Sequence, residues 1–271
     1  MDKYTKGNLE LWNELTPIHA RSEFYDVEGF KEGRNTLESI ELEEVGYVSG
    51  KSLLHLQCHF GMDTMSWARL GAKVTGIDFS DKAITLARSL SKETGIKADF
   101  ICSDIYKLPN VLHKKFDIVF TSYGVLTWLP DMMKWAEIIS HFLKRGGTFY
   151  IVECHPVTSI FDNSNSATEL KVTQSYFHSA EPIRWEPERD YADASAVVRS
   201  PSYEWTHNLS DIINALLSAG LRIEFLHEFP VSCYQWIPFA TKQANDRYWH
   251  IEGDRLPLTF SLKATKTRNR R

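Results

Sequence analysis

Two short apolar runs, Leu53-Leu54-His55-Leu56 and Val74-Thr75-Gly76-Ile77, constrain this chain more than any other feature. The second run closes on Asp78. Between them lies enough chain for a tight loop and a helix, the crossover that two parallel neighbouring strands require. In such a strand–loop–helix–strand unit the helix N-terminus offers unpaired N–H groups to a polar ligand, and an acid ending the second strand can grip a ribose. The unit points to an adenosine-containing cofactor. Its loop, Gln57-Cys58-His59-Phe60-Gly61, keeps a single glycine where such loops normally use several.

Alternation of apolar runs and helical periodicity continues from about 51 to 154, which predicts an α/β fold with a mostly parallel sheet. Strands are expected at 52–56, 73–77, 98–102, 116–122 and 147–153. Asp63 is expected to cap a helix over 64–70. Ala83, Ala87 and Leu90 share one face of a helix over 80–94, with Ser80 placed to cap its start and Gly95 its end. Met132, Trp135, Ala136, Ile139 and Leu143 set another helix over 131–143, before Arg145-Gly146-Gly147 turns the chain. After His155-Pro156 the alternation stops. Segments 174–177, 184–191 and 196–205 read as short antiparallel strands of an insertion. A helix over 210–219 and a strand over 221–227 resume the main pattern, and 256–262 reads as an edge strand. The amino-terminal part is expected to be helical around 9–15 and 34–45. The whole reads as one domain: a helical cap (1–50), a cofactor-binding core (51–154), a substrate-covering insertion (155–207) and a completion of the sheet (208–271).

With 271 residues, 43% of them hydrophobic, the chain can bury a substantial core. A net charge of −4 gives no broad basic field, which argues against nucleic acid as a partner, and the basic tail from Lys263 to Arg271 is too short to alter that. No apolar run suggests a membrane span and the polar start lacks a signal-peptide core, so a soluble, cytoplasmic protein is expected. Cys58, Cys102, Cys154 and Cys233 are far apart and form no CxxC pair, which fits a reducing compartment. Cys102 and Cys154 are expected as small buried thiols near strand ends. His55, Cys58 and His59 are competent metal ligands, but a strand residue and two loop residues at this spacing do not converge readily, and no metal is expected.

The residues from 51 to 154 resemble the class I S-adenosylmethionine-dependent methyltransferases, whose first motif is an apolar strand, an acid and a GxGxG loop. The resemblance implies a Rossmann-like, doubly wound seven-stranded sheet with an antiparallel last strand, and S-adenosylmethionine as cofactor with S-adenosylhomocysteine as product. It implies that Gln57, Cys58, His59, Phe60 and Gly61 hold the methionine part of the cofactor. Asp78 with Phe79 would hold the ribose, and Asp104 with Ile105 would meet adenine. Tyr123, in Thr121-Ser122-Tyr123-Gly124, would lie beside the methyl donor. This chain departs from the motif at His55, Gln57 and His59, a change similar to the Gln-Cys-His loops of a subgroup of bacterial small-molecule methyltransferases. Trp12 and His19, in an amino-terminal segment of the kind that folds over the cofactor in related enzymes, join the expected cofactor site.

Methyl transfer from a sulfonium is an in-line displacement, so the protein chiefly aligns the acceptor, excludes water and, for weak nucleophiles, removes a proton. Rigid aromatics suit alignment and desolvation and tolerate cationic sulfur. Tyr123, Trp128, Trp205, Tyr234 and Trp236, with Trp185 and Tyr203, are therefore expected to form the acceptor pocket. His155, His207 and Glu153 are the expected bases, with His178 a further candidate. The expected partner is a small-molecule acceptor, with the chain a monomer or homodimer. Two rivals stand beside this reading. A nicotinamide-dependent oxidoreductase would want small residues where Gln57, His59 and Phe60 stand, and a non-catalytic S-adenosylmethionine-binding protein would share the loop but not the turnover.

Overall fold

The computed structural model describes residues 1–164, 166–187, 190–242 and 247–267. The last four residues of the basic tail, and 188–189 of the expected strand 184–191, lie outside the described residues. In chain order the elements are α1 (Lys3–His19), α2 (Val27–Lys31), α3 (Ser39–Val45), β1 (Ser52–Leu56), α4 (Met62–Arg69), β2 (Lys73–Asp78), α5 (Asp81–Thr94), β3 (Ala98–Cys102), β4 (Phe116–Ser122), α6 (Met132–Phe142) and β5 (Leu143–Cys154). There follow β6 (Ile183–Trp185), β7 (Ser202–Glu204), α7 (Leu209–Ser218), β8 (Leu221–Phe229), β9 (Val231–Ser232), β10 (Thr241–Lys242), β11 (Trp249–His250) and β12 (Thr259–Lys266).

Seven strands form one sheet in the order β3-β2-β1-β4-β5-β12-β8, with β12 antiparallel to both β5 and β8. All five residues of β1 are buried, as expected of a strand covered on both faces. Their alternation divides them between two layers. Leu54 and Leu56 join Val119, Trp135, Phe149 and Leu216 on the side of α6 and α7, whereas Leu53 packs with Trp67, Phe120 and Tyr150 on the other. Each wholly buried aliphatic or Phe side chain contributes about 1.5–3 kcal/mol, so these two layers fix the register of the central strands.

α5 starts and stops where its punctuation dictates: Ser80 Oγ accepts from the Ala83 N–H at 3.0 Å and Gly95 closes the helix at φ 69°. Several local expectations need correction. Segment 256–262 is no edge strand: β12 runs between β5 and β8, with Phe260, Ser261, Leu262 and Ala264 wholly buried, and β8 is the edge. α4 is capped by Gly61, not by Asp63, whose side chain instead accepts from the Thr36 hydroxyl at 2.6 Å. Arg145-Gly146-Gly147 forms an irregularity within β5 instead of a turn before it, since Phe116 pairs with Leu143 and Ile118 with Thr148. Of the expected insertion strands only Ile183–Trp185 and Ser202–Glu204 pair, and 174–177 forms none. The helix expected over 34–45 begins at Ser39. Cys102 is exposed and Cys154 half-buried. Among the described residues no helix is long and apolar enough to cross a membrane.

Candidate functional site

The chain order reverses between β1 and β4, the switch point where open sheets of this kind leave a crevice beyond their carboxyl ends. Gln57 and His59 follow β1 with φ of 55° and 51°. These are left-handed conformations, so the two side chains stand where glycine would fit without cost and carry about 1–2 kcal/mol of strain each. Gly61 has φ 78°, and a Cβ there would lie 2.4 Å from the Phe100 ring. The backbone thus keeps a glycine-type bend although two of its residues are not glycine.

Asp78 ends β2 and fastens this bend. Its carboxylate accepts from the backbone N–H of His59 at 2.8 Å and of Ser80 at 2.9 Å, while burial pushes its pKa up to about 6. None of the bulky loop side chains closes the crevice. Phe60 is buried among Val27, Phe30, Met62 and Ala87, Gln57 turns aside to donate to the Val125 carbonyl at 3.0 Å, and the His59 ring packs on Trp12 and Phe60. Gln57 Oε1 and His59 Nε2 are buried polar atoms without a partner among the described residues. Asp104 lies beyond β3 with Ser103 and Ile105, its carboxylate accepting from the Tyr106 N–H at 2.9 Å.

The amino-terminal helix covers this edge. Asn13 receives the Ser80 hydroxyl at 2.6 Å and donates to Asp81, Trp12 packs on His59 and Trp128, and His19 meets Asp190 at 3.0 Å with both side chains buried. α1 also docks the insertion, since Asn8 both donates to and accepts from the backbone of Tyr203.

One cavity of about 1230 Å³ runs under this cover from Asp78 and Asp104, past Tyr123, to Trp128, Trp185, Trp205, Tyr234 and Trp236. Single ligand pockets occupy roughly 300–1,000 Å³, so there is room for a nucleoside-sized molecule and a second small one. All the cofactor-side residues expected from sequence, except His19, line it. His19 lies behind, against the His59 ring at 5.0 Å between centroids. Tyr203 does not line it: β6 and β7 pair as a ribbon whose Ile183, Trp185, Ser202 and Glu204 share the cavity face, leaving Tyr203 on the other face, against Gly7 and Tyr4.

The three expected bases, Glu153, His155 and His207, line the cavity, and each makes hydrogen bonds within the fold. Glu153 accepts from the backbone N–H groups of Gly124, Val125, Leu126 and Cys154, and so holds the loop after β4. Burial raises its pKa against those bonds. His155 accepts at Nδ1 from the Val157 N–H and contacts Glu228 through Nε2 at 2.9 Å, occupying both nitrogens. His207 donates through Nε2 to the Leu129 carbonyl at 2.6 Å and stacks on His178, while burial lowers its pKa to about 4. His155 thus has both ring nitrogens engaged, whereas His207, donating through Nε2, keeps the lone pair of Nδ1. His178 in turn contacts the Thr206 carbonyl.

Sequence reasoning passed over Glu204 and Glu41. Glu41 receives the Tyr123 hydroxyl at 2.9 Å, and burial raises its pKa to about 8. This fixes Tyr123, which sits at φ 31°. Nothing in the local pattern marks Glu41, since the contact spans separate elements. The polar–aromatic alternation Ser202-Tyr203-Glu204-Trp205 was a usable signal for Glu204, but not for which face would turn inward.

Comparison with known proteins agrees with this fold. Residues 54–151 match the family profile described as a methyltransferase domain. A ubiquinone biosynthesis O-methyltransferase of Bordetella avium is 26% identical over 67% of this chain and 74% of its own length. The enzyme of that name from Chromobacterium violaceum is 33% identical over 54% of this chain and 59% of its own, so this match spans under two thirds of that relative. An S-adenosylmethionine-dependent methyltransferase from Mesorhizobium loti shares the fold, with TM-score 0.57 and 20% identity over 87% of this chain and 99% of its own. So does one from Clostridium acetobutylicum, with TM-score 0.55 and 17% identity over 94% and 96%.

Proposed function

We propose that the chain is a class I S-adenosylmethionine-dependent methyltransferase that methylates a small molecule held in the aromatic lobe of its cavity. One observation carries the assignment of the cofactor end: the unpartnered Gln57 Oε1 and His59 Nε2 stand on a glycine-type bend fastened by Asp78, all on one cavity wall. These residues fit an aminoacyl nucleoside. Gln57 and His59 would take its polar aminoacyl end, Asp78 its ribose hydroxyls, and Asp104 with Ile105 its base. S-adenosylmethionine, when bound, supplies an electrophilic methyl on a sulfonium.

The remaining work falls to this chain's own groups. Glu153 holds the 124–126 backbone in place, and Glu41 fixes the Tyr123 ring between the cofactor end and the aromatic lobe. Trp128, Trp205, Tyr234 and Trp236 exclude water and orient a flat acceptor. Segments 1–50 and 155–207 act together as the cover, with α1 on the cofactor and the β6–β7 ribbon over the acceptor. The relatives' names concern ubiquinone biosynthesis. The ribbon lies outside the matched segment 54–151. Isothermal titration with S-adenosylmethionine and S-adenosylhomocysteine, followed by a product assay over a metabolite panel, tests the reading. Saturable binding of both with turnover of a panel member supports it, and absence of binding ends it.

A further inference from the structure

Glu204 is one of the cavity-wall carboxylates held by side-chain hydroxyls without a counter-charge among the described residues; Asp63, in the first turn of α4, is another, held by the Thr36 and Ser122 hydroxyls. Glu204 stands on the cavity face of the β6–β7 ribbon, half-buried, with its exposed part toward the cavity. Its oxygens accept from the Ser202 hydroxyl at 2.8 Å and the Thr127 hydroxyl at 3.3 Å. Two hydroxyls leave about half of the lone pairs of a carboxylate free. No cation pairs with it among the described residues. Of the lysines and arginines on the cavity wall, Arg34 is paired with Asp26 at 2.9 Å, Arg247 with Glu38 at 2.9 Å, and the Lys242 ammonium lies over the Trp249 ring at 5.1 Å.

The location ties Glu204 to the reacting end. Thr127 belongs to the loop after β4, whose Val125 carbonyl is held by Gln57 of the first loop, and the Trp205 N–H donates to the Thr127 carbonyl at 2.8 Å. The same cavity is lined by Trp128 and, on the ribbon face that carries Glu204, by Trp185. A carboxylate withdrawn from water without a counter-charge is costly, and a cationic ligand supplies what is missing. Indole faces attract the same cations. An anionic acceptor would meet repulsion at this wall.

Resting on the methyl-transfer reading, we propose that the acceptor is an amine, seated as its ammonium on Glu204 in the cavity that Trp128 and Trp185 line. Burial raises the carboxyl's affinity for a proton, with the Ser202 and Thr127 hydroxyls opposing, so the group is suited to drawing a proton from the seated ammonium.

The test uses the full chain loaded with S-adenosylhomocysteine, whose own binding is measured first. Tryptamine and 2-phenylethylamine are then titrated beside their uncharged counterparts tryptophol and 2-phenylethanol. We expect the amines to bind about tenfold more tightly than the alcohols, and E204Q to abolish that ratio while S-adenosylhomocysteine binds as before. Equal binding of amine and alcohol by the loaded protein overturns the proposal, as does an amine preference that survives in E204Q. If E204Q does not fold, E204D decides: it keeps the charge, and a retained amine preference is required. Failure of the unaltered chain to bind S-adenosylhomocysteine overturns the methyl-transfer reading itself, which separates the two failures.

Discussion

The first loop and the β6–β7 ribbon face each other across one cavity, and each presents a carboxylate to it, held in opposite ways. Asp78 is fastened by backbone N–H groups of its own neighbourhood, His59 and Ser80, and so serves as part of the loop's architecture. Glu204 is approached only by side-chain hydroxyls. The first arrangement shapes a site for a ligand of fixed form. The second leaves an unbalanced charge for the ligand to complete. A fold can therefore keep its cofactor end constant through backbone geometry while its acceptor end varies through a few side chains on an added ribbon.

The strongest way to break the comparison is to destroy the loop. Gly61→Val places branched carbon atoms against the Phe100 ring in a backbone conformation that β-branched residues resist. Overpacking and left-handed strain together should cost about 3 kcal/mol. Thermal denaturation is expected to show a fall of roughly 6–12 °C. An unchanged midpoint would mean that the bend is not held as tightly as its contacts imply.

Asp78→Asn acts on function more than on stability. It removes one charged acceptor, worth about 1.5–3 kcal/mol, and should weaken S-adenosylmethionine at least tenfold by titration calorimetry. The pH dependence has a definite sign. Burial raises the Asp78 carboxyl to about 6 in the folded chain, so its contribution to folding stability is fully present below the unfolded value and is lost as pH rises through about 6. Cofactor binding needs the carboxylate, so affinity should rise as pH increases from 5 to 7, and Asp78→Asn should flatten that rise.

On the ribbon side, Asn8→Ala tests how the acceptor cover is held. Asn8 is nearly wholly buried and exchanges two hydrogen bonds with the Tyr203 backbone. Their loss should cost about 1–2 kcal/mol. Faster amide hydrogen exchange at 202–205 is expected, with the acceptor KM raised and cofactor affinity little changed. Equal losses at both ends of the cavity would show that the cover moves as one body with the first loop.

The same contrast explains what could be read from the sequence. β1, β3 and β4 follow their apolar runs residue for residue, and α5 is bracketed by Ser80 and Gly95, because each depends on neighbours within a few positions. The aromatic lobe was legible as a group of residues. The hydrogen-bond partners of His155, His207 and Glu153 were not, since Glu228, Leu129 and Gly124 come from elsewhere in the chain. The place of β12 inside the sheet was hidden for a similar reason: a strand's neighbours are fixed by long-range pairing, and 259–266 has little local sign of which edge it joins.

The smallest expected effect sharpens the comparison most finely. Gln57→Gly should relieve about 1 kcal/mol of left-handed strain, while losing the bond to the Val125 carbonyl and adding freedom to the unfolded chain, about 1 kcal/mol in the opposite direction. Stability should thus move by less than about 1 kcal/mol. Affinity need not follow stability. If the bend alone seats the cofactor, glycine restores the usual loop and binding holds or improves; if the free Gln57 Oε1 is a ligand, S-adenosylhomocysteine binding falls severalfold at unchanged stability. The unpartnered oxygen favours the second outcome. Tighter binding by Gln57→Gly would instead make the first loop a matter of backbone shape alone, widening its contrast with the side-chain-determined ribbon opposite.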